Sequence, residues 1–186
     1  MFISHDYKLL QEERHLDPTY GTADGARVIL PMLKQANARS VLDYGAGKGK
    51  LKEYMSSAGI SAEYIPYDPA IYEFSSDPKT ADILVCLDVC EYIEADYIDA
   101  ALAHMASKFE RAAIFVISCF PSQNELDCGR NAHILLRSPS WWFSKIWSNF
   151  EIVDFKAAEA KIDGRIQGHK IMLVCGKKGS RLDVEA

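Results

Sequence analysis

The chain has 186 residues, 48% of them hydrophobic and 25% charged, with a net charge of −5. That length suits one domain with a self-sufficient core and leaves little room for a separate substrate domain. The composition excludes disorder and coiled coil, and 21 Lys and Arg against 26 Asp and Glu argue against nucleic acid as the default partner.

Five cysteines are an odd number for a disulfide framework. Cys86, Cys90, Cys119 and Cys175 sit in apolar runs, which predicts buried free thiols in a reducing cytosol. Cys86 and Cys90 lack the matching Cys/His pair that a zinc site needs, so no metal is expected. The opening MFISHDYKLLQEER carries acids early and has no apolar signal-peptide core. No run approaches the roughly 18 apolar residues of a membrane span. A cytoplasmic protein is expected.

Residues 1–20 read as a helical or irregular lead-in. Gly25–Ala38 has helical spacing through Val28, Leu30, Leu33 and Ala36, interrupted by Pro31. Ser40–Tyr44 is a short strand, followed by the glycine-rich stretch Gly45–Gly49 and a helix over Lys50–Ala58 that Gly59 stops. Ala62–Tyr67 reads as a second strand ending at Asp68-Pro69. Asp82–Leu87 and Ala112–Phe120 are continuous apolar runs, as strands buried on both faces should be. A helix over Tyr97–Phe109 lies between them, with Ile98, Ala101, Leu102, Met105 and Phe109 on one stripe. Pro139–Phe150 is an aromatic-rich helix with Ser138 as its N-cap. Glu151–Ala157 and Gln167–Gly176 are closing strands around an Asp163-Gly164 turn, and the tail from Lys177 is polar. The alternation predicts an α/β fold with a mainly parallel sheet covered on both faces. Ligands in such sheets bind at the carboxyl ends of the strands.

The stretch Val41-Leu42-Asp43-Tyr44-Gly45-Ala46-Gly47-Lys48-Gly49 lies at such an end. It fails the dinucleotide fingerprint, because the third glycine of G-x-G-x-x-G would fall on Lys50. It fails the phosphate loop G-x-x-x-x-G-K, because Leu42 and Tyr44 occupy the positions where the first glycine would stand. It resembles the D-x-G-x-G-x-G motif of class I S-adenosylmethionine-dependent methyltransferases. Asp68, 25 residues beyond Asp43, stands where a carboxylate can accept both ribose hydroxyls. Asp88-Val89-Cys90-Glu91-Tyr92-Ile93 is similar to the family's D-V-L-E-H-I turn, with Cys90 for Leu and Tyr92 for His.

The resemblance implies a Rossmann-like, doubly wound fold with an antiparallel C-terminal strand. It also implies S-adenosylmethionine as cofactor, with S-adenosylhomocysteine as product. The cofactor residues it implies are Asp43, Tyr44, Gly45, Ala46, Gly47, Gly49, Asp68, Pro69, Leu87, Asp88, Val89 and Cys90. Asp43 suits the cofactor's ammonium, and the loop amides suit its carboxylate. Only 13 residues separate Asp68 from Asp82, where the family has a helix and a third strand, so that unit is shortened or missing. Asp77 and the Leu87–Cys90 turn are alternatives for the adenine wall.

The long Pro121–Ser138 loop carries Arg130, Asn131 and His133 ahead of Trp141-Trp142. The run GRNAHILLRSPSWW resembles a subset of small bacterial and phage methyltransferase-like proteins, with Cys128 where that subset has Asp. His133 is the candidate base for an oxygen acceptor; the alternative is a structural bond from its ring to a loop carbonyl. Arg130, Asn131, Trp142 and Tyr20 are the substrate-side candidates, with Tyr20 and His15 resembling an N-terminal lid. Trp141, Trp142 and Trp147 read first as core packing of the helix on the sheet and only second as a stacking platform, with one of the adjacent pair Trp141/Trp142 pointing away from the core.

The expected organisation is a single domain over 1–186, with 1–25 as lid and 177–186 as a frayed tail. The expected activity is methyl transfer to an O or N atom of a small polar molecule, such as a sugar or metabolite. The alternatives are a cofactor-binding sensor that does not methylate, or an RNA methyltransferase using Arg130, Arg137 and Lys145.

Overall fold

A computed structural model describes residues 2–18, 20–23, 25–126 and 129–179. The expected frayed tail therefore lies mostly outside the described residues, as does Cys128. Five helices and six strands are present among the described residues. Helix α1 (His5–Arg14) is capped by Ser4, whose hydroxyl accepts from the Tyr7 amide. Helix α2 (Ala26–Ala36) contains Pro31. Strand β1 (Ser40–Tyr44), helix α3 (Leu51–Ser57) and strand β2 (Glu63–Tyr67) follow. Then come β3 (Ala81–Leu87), α4 (Ile98–Ala106), β4 (Phe109–Cys119), α5 (Pro139–Trp147), β5 (Phe150–Ile162) and β6 (Arg165–Lys177).

The strands form one sheet in the order β2-β1-β3-β4-β6-β5. The first four are mutually parallel, and β6 runs antiparallel to both β4 and β5. This is the expected Rossmann-like, mainly parallel sheet with an antiparallel C-terminal strand. Alternate strand residues feed two cores. Val41, Ile83, Val85, Ile114 and Val116 pack with Ile29, Leu33, Leu51 and Met55 of α2 and α3. Leu42, Leu84, Cys86, Phe115 and Ile117 pack with Ile98, Leu102, Trp142 and Ile146 of α4 and α5. Burial on both faces is why β3 and β4 read as unbroken apolar runs.

Three local expectations are corrected. Helix α2 buries Ala26, Ile29 and Leu33, while Val28 is exposed. Both stripes have helical spacing, and docking on β1 and β3 selects one. Phe109 does not end α4 but opens β4, paired with Ala81 and stacked at 5.8 Å on Phe150. The aromatic helix stops at Trp147, and Phe150 begins β5.

The shortened segment is confirmed. Between β2 and β3 there is only a single turn of 3₁₀ helix, Tyr72–Phe74, which leaves β2 as the sheet edge.

Candidate functional site

The carboxyl ends of β1, β2, β3 and β4 open into one cavity of about 560 Å³. That size is within the roughly 300–1,000 Å³ of small-molecule sites. The floor is the turn after β1. The Gly45 and Ala46 amides donate to the Tyr67 carbonyl at 2.7 and 3.0 Å, which binds the loop to the end of β2. Gly45 has φ 86°, and a Cβ there would lie 2.3 Å from a Val89 methyl. Gly47 has φ 50°, and a Cβ there would lie 3.1 Å from Gly21 Cα, a tight contact with backbone. Glycine is required at Gly45 by backbone sign and by space, and favoured at Gly47 mainly by backbone sign.

Two carboxylates flank this floor. Asp43 accepts from the Tyr64 hydroxyl at 2.8 Å, and burial pushes its carboxyl up to about 7. Asp68 accepts from the Gly47 amide on one oxygen and the Ala70 amide on the other, each at 2.9 Å. A carboxylate has about four lone-pair sites, so both oxygens keep acceptor capacity.

The far wall gathers Asp88, Ser118, His133 and Lys170. Asp88 sits at φ 53°. Its two oxygens lie 2.7 and 2.8 Å from Lys170 Nζ, and one also accepts from the Ser118 hydroxyl at 2.9 Å. Lys170 reaches this end because β6 runs antiparallel, in register with Ser118. His133 Nδ1 lies 2.6 Å from the Phe120 carbonyl, which can only accept. Nδ1 therefore carries the proton and Nε2 the lone pair. Burial lowers the pKa of this imidazole below its ordinary value.

The roof comes from the N-terminus. Ser4 donates through its amide and hydroxyl to the Glu94 carboxylate at 2.8 and 2.7 Å, pinning α1 beside the turn after β3. Tyr7, Gln11 and His15 recur every four residues, so one face of the helix and its C-cap looks into the cavity. The Tyr20 hydroxyl donates to Gln11 Oε1 at 2.7 Å, and its ring lies under the Arg14 guanidinium. The His15 ring packs on Gly21 and Gly47, with Nε2 4.0 Å from Asp68 Oδ2. Burial lowers the His15 pKa, so this approach is a contact of a neutral ring rather than an ion pair.

A family model described as a methyltransferase domain matches residues 14–151, about three-quarters of the chain. The chain belongs to the methyltransferase-domain family. No curated protein sequence matches it. Among solved structures it resembles 1,6-didemethyltoxoflavin-N1-methyltransferase of Burkholderia thailandensis, crystallised with 1,6-didemethyltoxoflavin and S-adenosylhomocysteine. That pair shares 15% identity at TM-score 0.62, over 93% of this chain and 89% of that one. It also resembles magnesium protoporphyrin IX methyltransferase of Synechocystis PCC 6803 with S-adenosylhomocysteine, at 16% identity and TM-score 0.57, over 83% and 82%. Human N-acetylserotonin methyltransferase with S-adenosylmethionine matches at 15% identity and TM-score 0.59, over 91% of this chain and 56% of that one. Identities this low show a shared fold.

Within this methyltransferase domain the sequence-predicted residues divide. Asp43, Tyr44, Gly45, Ala46, Gly47, Asp68, Pro69, Leu87, Asp88, Val89, Tyr20 and His133 all line the cavity. Gly49 does not; its amide closes the loop onto the Ala46 carbonyl. Cys90 lies in the core, 3.6 Å from Cys86 Sγ, so its replacement of leucine is a packing change. Trp142 is fully buried between sheet and helix and cannot touch a ligand. Asn131 is a brace: its side chain bonds the Ser122 amide and carbonyl and the His133 amide at 2.8–3.0 Å. Arg130, exposed, lies outside the cavity wall, as do Arg137 and Lys145, which both lie over the Trp141 ring. Asp77 is not an adenine wall but bonds His104 and Lys108 on the surface.

One expectation about the loop fails outright. The amides of Gly45, Ala46, Gly47, Lys48 and Gly49 all donate within the protein: to Tyr67 twice, and to Asp68, Gly21 and Ala46. None is left for a ligand carboxylate. Sequence reasoning missed Tyr7, Gln11, Ser118 and Lys170, whose positions depend on helix docking and an antiparallel register that no local motif announces. No helix among the described residues is long and apolar enough to cross a membrane.

Proposed function

We propose that this domain binds S-adenosylmethionine and transfers a methyl group to an O or N atom of a small polar molecule. The observation that carries the reading is one cavity with two buried carboxylates at its glycine-loop end and a lone-pair imidazole nitrogen on its far wall. Asp68 would take the ribose hydroxyls on the lone pairs its amide bonds leave free, and Asp43 the ammonium. Pro69, Leu87 and Val89 would line the nucleoside. When bound, the cofactor supplies an electrophilic methyl group on its sulfonium.

The chain's own residues do the rest. Alignment of acceptor and methyl supplies most of the acceleration in such a displacement. His133 takes the acceptor's proton on Nε2 while its Nδ1–H bond to Phe120 holds the ring in place. The two readings of His133, loop brace and base, are thus compatible. Tyr20 and Tyr92, 6.0 Å apart, and the Asp88–Lys170 pair face the acceptor. A single domain with residues 1–25 as lid, working in a reducing cytosol that keeps Cys86, Cys90, Cys119 and Cys175 free, completes the reading.

Calorimetric titration with S-adenosylhomocysteine tests the cofactor; no heat at millimolar ligand overturns it. With an acceptor found by labelled-methyl screening, His133→Ala should lower turnover by roughly 10²–10⁴-fold. Its affinity for S-adenosylhomocysteine should not change. Unchanged turnover removes His133 from the chemistry.

A further inference from the structure

The five spent amides leave the cofactor's carboxylate without the partner that the loop sequence suggests. The roof has what the floor lacks. Tyr7 Oη, Gln11 Nε2 and His15 Nδ1 are buried without a close hydrogen-bond partner, Tyr7 and Gln11 making only a long contact with each other, and all three residues line the cavity. Gln11 is only 6% exposed and Tyr7 only 7%. Leaving such groups unpaired costs about 1–3 kcal/mol each, so a ligand that pairs them recovers that cost.

The set favours donors. The Tyr20 hydroxyl already donates to Gln11 Oε1, so Gln11 presents its NH₂. Burial raises the Tyr7 hydroxyl far above its ordinary pKa, so it stays an O–H. His15 Nε2 faces the Asp68 carboxylate at 4.0 Å, which favours the proton on Nε2, so His15 stands outside the donor pair and packs beside it. Arg14, over Tyr20, adds positive charge behind this row. Donors backed by a cation select an anionic oxygen ligand.

We propose that Gln11 and Tyr7, on the cavity face of α1, hold the α-carboxylate of the bound cofactor. The inference rests on the cofactor reading above and moves the carboxylate site from the glycine loop to the lid. The lid then selects the amino-acid half of the ligand, while Asp68 and the loop serve the nucleoside half. His15, packed on Gly47, joins the two.

Two probes separate the halves: S-adenosylhomocysteine, which has the carboxylate, and 5′-methylthioadenosine, which lacks the amino-acid group. Calorimetry on the wild-type chain should show S-adenosylhomocysteine binding at least tenfold more tightly. Gln11→Leu should weaken S-adenosylhomocysteine at least tenfold and leave 5′-methylthioadenosine within about twofold. Gln11→Glu, similar in shape but anionic, should weaken S-adenosylhomocysteine further, again sparing the other probe. Equal losses for both probes would make Gln11 a lid prop and overturn the proposal. Unchanged S-adenosylhomocysteine affinity in both variants would do the same, as would equal wild-type affinities. Failure of both probes to bind wild type would overturn the cofactor reading itself, an outcome distinct from the others.

Discussion

Gly45 is the most constrained point of the site, and its replacement by alanine can be worked from the structure. At φ 86° an L-residue pays roughly 1–2 kcal/mol for left-handed backbone. The new Cβ would also lie 2.3 and 2.6 Å from the two Val89 methyls, inside any tolerable contact. The loop cannot retreat, because the Gly45 and Ala46 amides are both bonded to Tyr67. Overpacking of this kind costs about 1–3 kcal/mol, for a total of about 2–5 kcal/mol. Val89→Ala removes both methyls and leaves only the residue-89 Cβ, 3.0 Å from the new one, so in that background Gly45→Ala should cost the backbone term and a small remainder. Urea unfolding of the four proteins gives the coupling, expected at about 1–3 kcal/mol in favour of the double variant. Coupling within about 0.5 kcal/mol of zero, the ordinary error of additivity, would refute the close approach.

Two further predictions concern buried carboxyl groups. Tyr64→Phe removes the hydroxyl that favours ionised Asp43 against burial, so the Asp43 pKa should rise above its present value of about 7. S-adenosylhomocysteine affinity should then fall about tenfold at pH 7, the loss of one charged hydrogen bond, and recover towards pH 8.5; a loss independent of pH would count against ionised Asp43 as the ammonium partner. Glu91 is fully buried and pushed up to about 8 by that burial, and next by Asp88, against roughly 4.3 unfolded. Its folded form holds the proton more tightly, so its contribution to stability is full at low pH and is lost as pH rises from about 4.3 through about 8. Glu91→Gln should flatten that slope, raising the urea midpoint relative to wild type at pH 9 more than at pH 5; parallel pH profiles would show Glu91 titrating normally.

The parts of the site that were legible in the sequence are those made by one short stretch of chain. Asp43 through Gly47 form a single strand-to-turn unit, so composition and order sufficed. Asp68 followed, because a parallel neighbouring strand must end at the same level. The α4 and α5 faces were legible because strands buried on both sides need apolar cover. What the sequence concealed depends on pairing in space. Trp142 and Cys90 looked available until packing put both inside. The loop amides looked free until Tyr67, Asp68 and Gly21 claimed them. Lys170 lies 82 residues from Asp88 and meets it only because β6 inverts.

The missing third-strand unit and the N-terminal segment answer each other. With only the Tyr72–Phe74 turn beyond β2, that flank of the cavity loses the wall a helix and strand would supply. Phe2 takes up this side, its ring tilted 4.6 Å from the His104 ring and lining the cavity with Tyr44 and Tyr67. His104 is itself held by the Tyr44 hydroxyl at 2.9 Å and Asp77 at 2.8 Å. The same segment then places Tyr7 and Gln11 over the cavity and His15 on the glycine loop. A segment that closes this flank, places buried polar groups over the cavity and packs on the loop is part of the cavity wall. Such a wall can be short in sequence because one amphipathic helix, anchored by Ser4 on Glu94, replaces several elements of the sheet's own rim.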